Sequence, residues 1–397
     1  MASLPVRLMR GGTSKGVFLR KEALESTVAS MRRGSDGISA DNLLSALVTG
    51  SAPDASGLQL DGLGGGISST SKVAVMSLSA NRPKTVEYLF GQVHTTDGSI
   101  SYASSCGNLA AAAGLFAVED GLISLEDLET STMLRNHWVV PVFHTNAGNL
   151  INVHVPKDPY NEPRDTWVAI GGVPGLAPPI LVEFVNPSGP GGVPLFPTGN
   201  VVDQLKRKSG HSVFVSLVFT ANPTIFIAAS EFGMAGHELP DELDGSLLNE
   251  ELVHMSDQLK QIVPGLPLEG ARLAIIGASQ TYFCTDGKRV DETQVDLVSR
   301  ITTQDRIHHA HTLTGALNLA IASEVPGTIP FQAKSSSQSG LLRIGHPGGI
   351  LETTAQVRQL ENGSWQAERV GMVRTARTLF AGLAALPYSI LPVQKSN

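Results

Sequence analysis

The chain has 397 residues, 42% of them hydrophobic and 16% charged, which suits two cores of ordinary size and excludes a disordered chain. A formal charge of −7 excludes the global positive field that nucleic acid or an anionic membrane would need, though not a local site for a small anion. Apolar runs fall short of the roughly 18 residues of a bilayer span, and the N-terminus MASLPVRLMRGG lacks a signal-peptide core. Two cysteines, Cys106 and Cys284, support neither a disulfide framework nor a zinc site. The expected setting is cytoplasmic, with no nucleic-acid or membrane partner; a homo-oligomer is neither required nor excluded. Low aromatic content, 5%, beside 41 glycines and 23 prolines points to tight turns and small-residue packing.

In chain order, Ala40–Val48 reads as an amphipathic surface helix with Asp41 near its start. Val73–Met76 and Val86–Phe90 read as strands. Residues 106–118, CGNLAAAAGLFAV, form a helix that is apolar all round and so belongs inside a core. Strands Val139–Phe143 and Leu150–Val155 follow, joined by turn residues Asn146 to Asn149. The stretch 186–193, NPSGPGGV, is the natural boundary and predicts domains 1–190 and 191–397. Beyond it come strands Val213–Thr220, Thr224–Ala228 and Arg272–Ile276. A second all-apolar helix covers 308–323, ending before the breaker pair Pro326-Gly327. Each half supplies one buried helix and many strands, an α+β pattern that sheets wrapped around a central helix, twice over, would satisfy.

Chemistry concentrates at a few places. Cys106 stands at a helix start behind Ser104 and Ser105, where unpaired N–H groups and partial positive charge favour a thiolate and would welcome a carboxylate or enolate oxygen. A packing cysteine remains an equal reading. Lys72 closes GLGGGISSTSK, a glycine and hydroxyl loop with the makings of an anion nest, before an apolar strand. It is either a solvated lysine or, if desolvated, a base whose pKa falls toward neutrality. The loop matches neither a dinucleotide fingerprint nor a Walker motif. Arg10–Gly16, RGGTSKG, reads as a second anion-binding turn, and Pro197–Asn200 and His346–Gly349 as weaker ones. His308, His309 and His311 have no carboxylate at metal-ligand spacing, so no metal is expected. A histidine there suits a bound anion or a helix cap. Hydrolysis through Cys106 and a distant histidine stays open on residue types alone.

The motifs RGGTSKGVF (10–18), DGLGGGISSTSKVAV (61–75), CGNLAAAAG (106–114), PTGN (197–200), HHAHTLTGA (308–316), IGHPGG (344–349) and RTART (374–378) together resemble the PrpF family of isomerases. That family belongs to the diaminopimelate-epimerase-like superfamily. The resemblance implies two pseudo-symmetric domains, each a β-barrel-like sheet around a central helix, with the ligand between them facing both helix starts. It implies cofactor-independent proton movement beside a carboxylate of an unsaturated di- or tricarboxylic acid, as in aconitate or methylaconitate cis–trans isomerisation or a double-bond shift. The family's catalytic lysine and helix-start cysteine match Lys72 and Cys106. Ser14, Lys15, Ser71, Gly107, Asn108, Thr198, His309 and Gly348 are the candidates for holding the polycarboxylate. The superfamily's racemases carry a second thiol at the second helix; here that position reads His308-His309-Ala310. A two-base amino-acid racemase is therefore the weaker alternative, beside a non-catalytic carboxylate-binding accessory protein.

Overall fold

The computed structural model describes residues 3–31, 38–51, 57–102, 106–146, 148–187, 192–220, 222–302, 306–335 and 341–387. The chain divides into two compact units, one of Met1–Val182 with Arg374–Asn397, the other of Glu183–Val373. The boundary expected at 190 thus falls earlier, and the last strand returns to the first unit. That return is a matter of strand pairing, because Ala376–Ala385 lies antiparallel along the first strand of the chain, Arg10 opposite Arg377. A turn-rich segment marks where a chain can leave a sheet but cannot show that it comes back.

In the first unit, β1 (Ser3–Gly11) and β2 (Ser14–Arg20) form a hairpin, followed by helices α1 (Lys21–Met31) and α2 (Ala40–Thr49). β3 (Lys72–Leu78) runs parallel to β2 and antiparallel to β4 (Val86–Val93). The short β5 (Ile100–Ser101) precedes α3 (Gly107–Glu119). After the short β6 (Glu129–Thr130), β7 (His137–His144) lies parallel to β4 and antiparallel to β8 (Asn149–Pro156).

The sheet wraps α3, whose residues from Leu109 to Ala117 are all buried. Alanines 110–113 and Gly114 let backbone come close. A Cβ at Gly114 would lie 2.5 Å from Val153 on β8, and one at Gly11 would lie 2.4 Å from the Asn108 carbonyl oxygen. Phe18 on β2 meets Phe116 on α3 with ring centroids 5.8 Å apart. The opposite sheet face, with Val17, Leu19, Val73, Val75 and Val93, packs on α1 and α2.

The second unit repeats this pairing order. Ser212–Phe219 is antiparallel to Pro223–Ala228, which is parallel to Arg272–Ala278, itself antiparallel to Leu297–Ile301. Leu297–Ile301 is parallel to Leu341–His346, which is antiparallel to Gly349–Gln359. Helix α4 (Gly245–Ile262) occupies the place of α1 and α2, and α5 (Leu313–Ala322) the place of α3, buried from Gly315 to Ala322. Asn318 in its middle is tolerated because its amide is fully engaged, accepting from Thr220 and donating to Val218, Asn222 and Thr224. The α+β class and the two buried helices read from the sequence both hold. The second helix begins at Leu313 rather than 308: Thr312 caps it, its hydroxyl accepting the Gly315 N–H. His308 and His309 lie in the preceding turn. Among the described residues, no helix is long and apolar enough to cross a membrane.

Candidate active site

Pleating sends alternate residues of a strand to opposite faces. Lys72, Ala74 and Met76 of β3 therefore share the α3 side of the sheet with their register partners Gln92, Phe90 and Tyr88 of β4. Ser14, Gly16 and Phe18 of β2 do the same. Gly16 marks the meeting point: a Cβ there would lie 3.0 Å from Leu109 in the first turn of α3 and 3.3 Å from the Lys72 Cβ. A larger residue there would have to push one of them aside.

Lys72 is buried, and its ammonium donates to Gln92 Oε1 at 2.5 Å with the Phe90 ring centroid 5.1 Å away. Burial lowers its pKa, while the charge of a Cys106 thiolate pushes it back up. A lysine at a strand start is ordinarily solvated; here the side chain is buried, which disfavours its charged form. Cys106 is the N-cap residue of α3, half-buried, with extended backbone and Sγ 3.7 Å from Ser14 Oγ. Its side chain does not cap the helix, so the first-turn N–H groups, Gly107 included, keep their partial positive charge. Ser104 and Ser105, the expected caps, lie outside the described residues.

Several predicted ligand residues are already engaged. Asn108 accepts from Arg374 Nε at 3.0 Å and donates to Thr13 at 3.2 Å, tying the Arg10–Gly16 turn to the start of α3. Gly12, at φ +50°, comes so close that a Cβ would lie 2.3 Å from Asn108 Oδ1. Ser71 is fully buried, and its hydroxyl donates to Gln59 Oε1 at 2.8 Å. Ser71 and Asn108 are thus both tied into the loops around the start of α3. Lys15 bonds through its N–H to the Ser69 carbonyl, and its ammonium would lie 3.4 Å from a Cβ at Gly65, over the glycine loop.

In the second unit, the Thr198 hydroxyl donates to Asp203 at 2.8 Å inside its own turn, and the Gly348 N–H bonds to His346 Nδ1 at 3.1 Å. His309 is exposed in the turn before α5. His308 Nδ1 accepts the Ala310 N–H, and burial lowers its pKa. His311 is a core histidine, bonded to Ser299 and the Thr312 carbonyl, its pKa lowered to about 4 by burial. Cys284 packs with Tyr282, Val290, Val295 and Val298, and burial pushes its thiol up. Among the described residues, no cluster of three or more His, Cys, Asp or Glu side chains is placed to hold a metal ion.

Three residues important to this geometry are not among the candidates drawn from the sequence. Gln59, at φ +56°, also accepts the Gly66 N–H and so shapes the glycine loop. Arg374, buried beside the start of α3 with its pKa lowered to about 10 by desolvation, fixes Asn108. It opens the RTART motif, where a role was there to be asked for. Gln92 could have been found as the amide that follows Tyr88 and Phe90 on the inward face of its strand.

The profile of the family described as "PrpF protein" matches residues 1–387. The chain is 33% identical to the 2-methyl-aconitate isomerase of Shewanella oneidensis, covering 96% of each chain. It is 31% identical to the enzyme of that name from Cupriavidus necator, covering 97% of each. Among solved structures, methylitaconate-delta-isomerase superimposes with a TM-score of 0.79 at 28% identity, covering 100% of this chain and 99% of the other.

Proposed function

Since this chain belongs to the PrpF family, we propose that its site moves a proton beside a carboxylate of an unsaturated di- or tricarboxylic acid, with no cofactor. The protein is an isomerase of aconitate-like acids; the identity of the acid and the roles of the residues are the proposal. One observation carries it: Gly16 touches both the buried Lys72 and the first turn of α3, while Ser14, on the same face of β2, contacts the Cys106 thiol at that helix start, which Cys106 does not cap.

In this mechanism the neutral Lys72 amine takes the allylic proton. The electron pair of the broken C–H bond spreads through the double bond onto a carboxylate, forming an extended enolate. First-turn N–H groups of α3 stabilise that charge as an oxyanion hole does. The bond order changes, rotation or migration follows, and the proton returns from the Lys72 ammonium; where the Cys106 thiol delivers it instead, the Lys72 ammonium then reprotonates the thiolate, so that on either route the enzyme ends as it began. Ser14 orients the thiol. A racemase reading lacks its second thiol, because Cys284 sits in a separate apolar cluster.

Incubation with a panel of unsaturated polycarboxylic acids, followed by proton NMR, tests the reading. A new geometric or positional isomer is the expected result; turnover of proline or diaminopimelate instead would overturn it. Cys106→Ala is expected to slow isomerisation about a hundredfold with the fold intact, the scale of one general acid, and Cys106→Ser to recover part of that loss. Unchanged kcat in Cys106→Ala would confine proton transfer to Lys72.

A further inference from the structure

We propose that Gln92 is the positioning residue of the catalytic amine: it holds one N–H of Lys72 and so aims the nitrogen lone pair away from β4. The inference rests on the reading of Lys72 as the base. Gln92 stands directly opposite Lys72 in the β3–β4 register, on the same face. Its Oε1 receives the Lys72 Nζ at 2.5 Å. Its Nε2 donates to three backbone carbonyls, Ser71 at 3.0 Å, Ser68 at 3.1 Å and Val93 at 3.3 Å. A flipped amide would set Oε1 against those carbonyls and an N–H against the amine, so the oxygen faces Lys72 in one fixed orientation.

Two consequences follow. Tetrahedral nitrogen with one N–H tied to Oε1 directs its lone pair elsewhere, which is what proton abstraction needs. The acceptor is also neutral. A carboxylate at this position would hold Lys72 as the ammonium ion; an amide orients it without that charge. Ser68 and Ser71 belong to the glycine loop, so the loop's backbone and the base are fixed through a single side chain. Among titratable groups, Cys106 at the start of α3 acts on Lys72 directly; the fully buried Tyr88 lies further along the same face of β4, and Lys15 lies over Gly65.

Two variants separate positioning from mere packing. Gln92→Glu is expected to move the alkaline-going rise of kcat/KM upward by about one pH unit or more, the effect of a nearby opposite charge. Gln92→Leu is expected to move the rise in the acid direction and to lower kcat about tenfold with little change in KM. A structural role alone predicts losses without opposite shifts, and that pattern, or wild-type kcat in Gln92→Leu, would overturn the proposal. The rate at which acetic anhydride labels Lys72, followed against pH by peptide mass spectrometry, gives the same two shifts without any substrate. Opposite labelling shifts with no isomerase activity in the wild type would leave Gln92 in this role and remove the reading of Lys72 as a base. If Gln92→Glu does not fold, Gln92→Leu alone decides: an unmoved labelling profile contradicts the proposal.

Discussion

Lys72→Met is expected to lower kcat about 10²- to 10⁴-fold, the usual contribution of a general base, and to leave the protein at least as stable as the wild type. The two halves have one cause. Burial lowers the Lys72 pKa below its unfolded value, so at any pH under the folded value the chain bears the whole penalty of a desolvated ammonium. As pH climbs from the folded toward the unfolded pKa, the unfolded chain holds the extra proton and the penalty fades. Methionine keeps the volume and removes the charge. Its stabilising effect should be largest at neutral pH and shrink toward about pH 10.4, the ordinary lysine value. In the wild type, the same lowered pKa places the midpoint of the kcat/KM rise below that value. Thermal melts across pH, beside the rate profile, check both; a variant that is inactive and clearly less stable at pH 7 would make Lys72 a structural residue.

Gly11→Ala is expected to cost about 1–3 kcal/mol of stability, as overpacking does, and about a hundredfold in kcat. The added Cβ would lie 2.4 Å from the Asn108 carbonyl oxygen and 3.1 Å from both the Leu109 Cα and the Ala112 Cβ. Two of those three neighbours are α3 backbone atoms, which cannot swing aside as a side-chain tip would. The first turn of α3 has to move, carrying Cys106 and the N–H groups, and a displacement of about 1 Å at a catalytic group has that order of effect on rate. Val153→Ala serves as the control. It opens a cavity beside Gly114 in the middle of the same helix, loses stability by a different route, and leaves the first turn in place, so kcat should hold. Equal rate losses in both variants would show that general destabilisation, not the position of the helix start, explains the effect.

Much of this arrangement is legible in the sequence because it is written in local pattern. An all-apolar, alanine-rich stretch after Cys106 can only be a core helix, and the strands at 73–76, 86–90, 139–143 and 213–220 announce themselves by β-branched and aromatic runs. Lys72 and Cys106 stand out as chemistry-bearing residues beside flexible or charged backbone. What escapes is non-local. The C-terminal strand's return to β1 depends on a partner more than 360 positions away, which no window reveals. The engagement of Ser71 with Gln59 and of Asn108 with Arg374 is likewise set by tertiary contact. His308 and His309 read as helical because the apolar pattern runs through them; Thr312, a capping residue four positions from His308, is the local signal for the true start.

The most direct test is solvent exchange in heavy water, with an aconitate-class acid followed by proton NMR for the wild type and for Lys72→Met. The wild type should wash deuterium into the allylic position as it isomerises the acid, while the variant, still binding the acid, should show none over the same period. Deuterium entering at a near-wild-type rate in Lys72→Met would mean that another group moves the proton, and Lys72 would lose its place as the base.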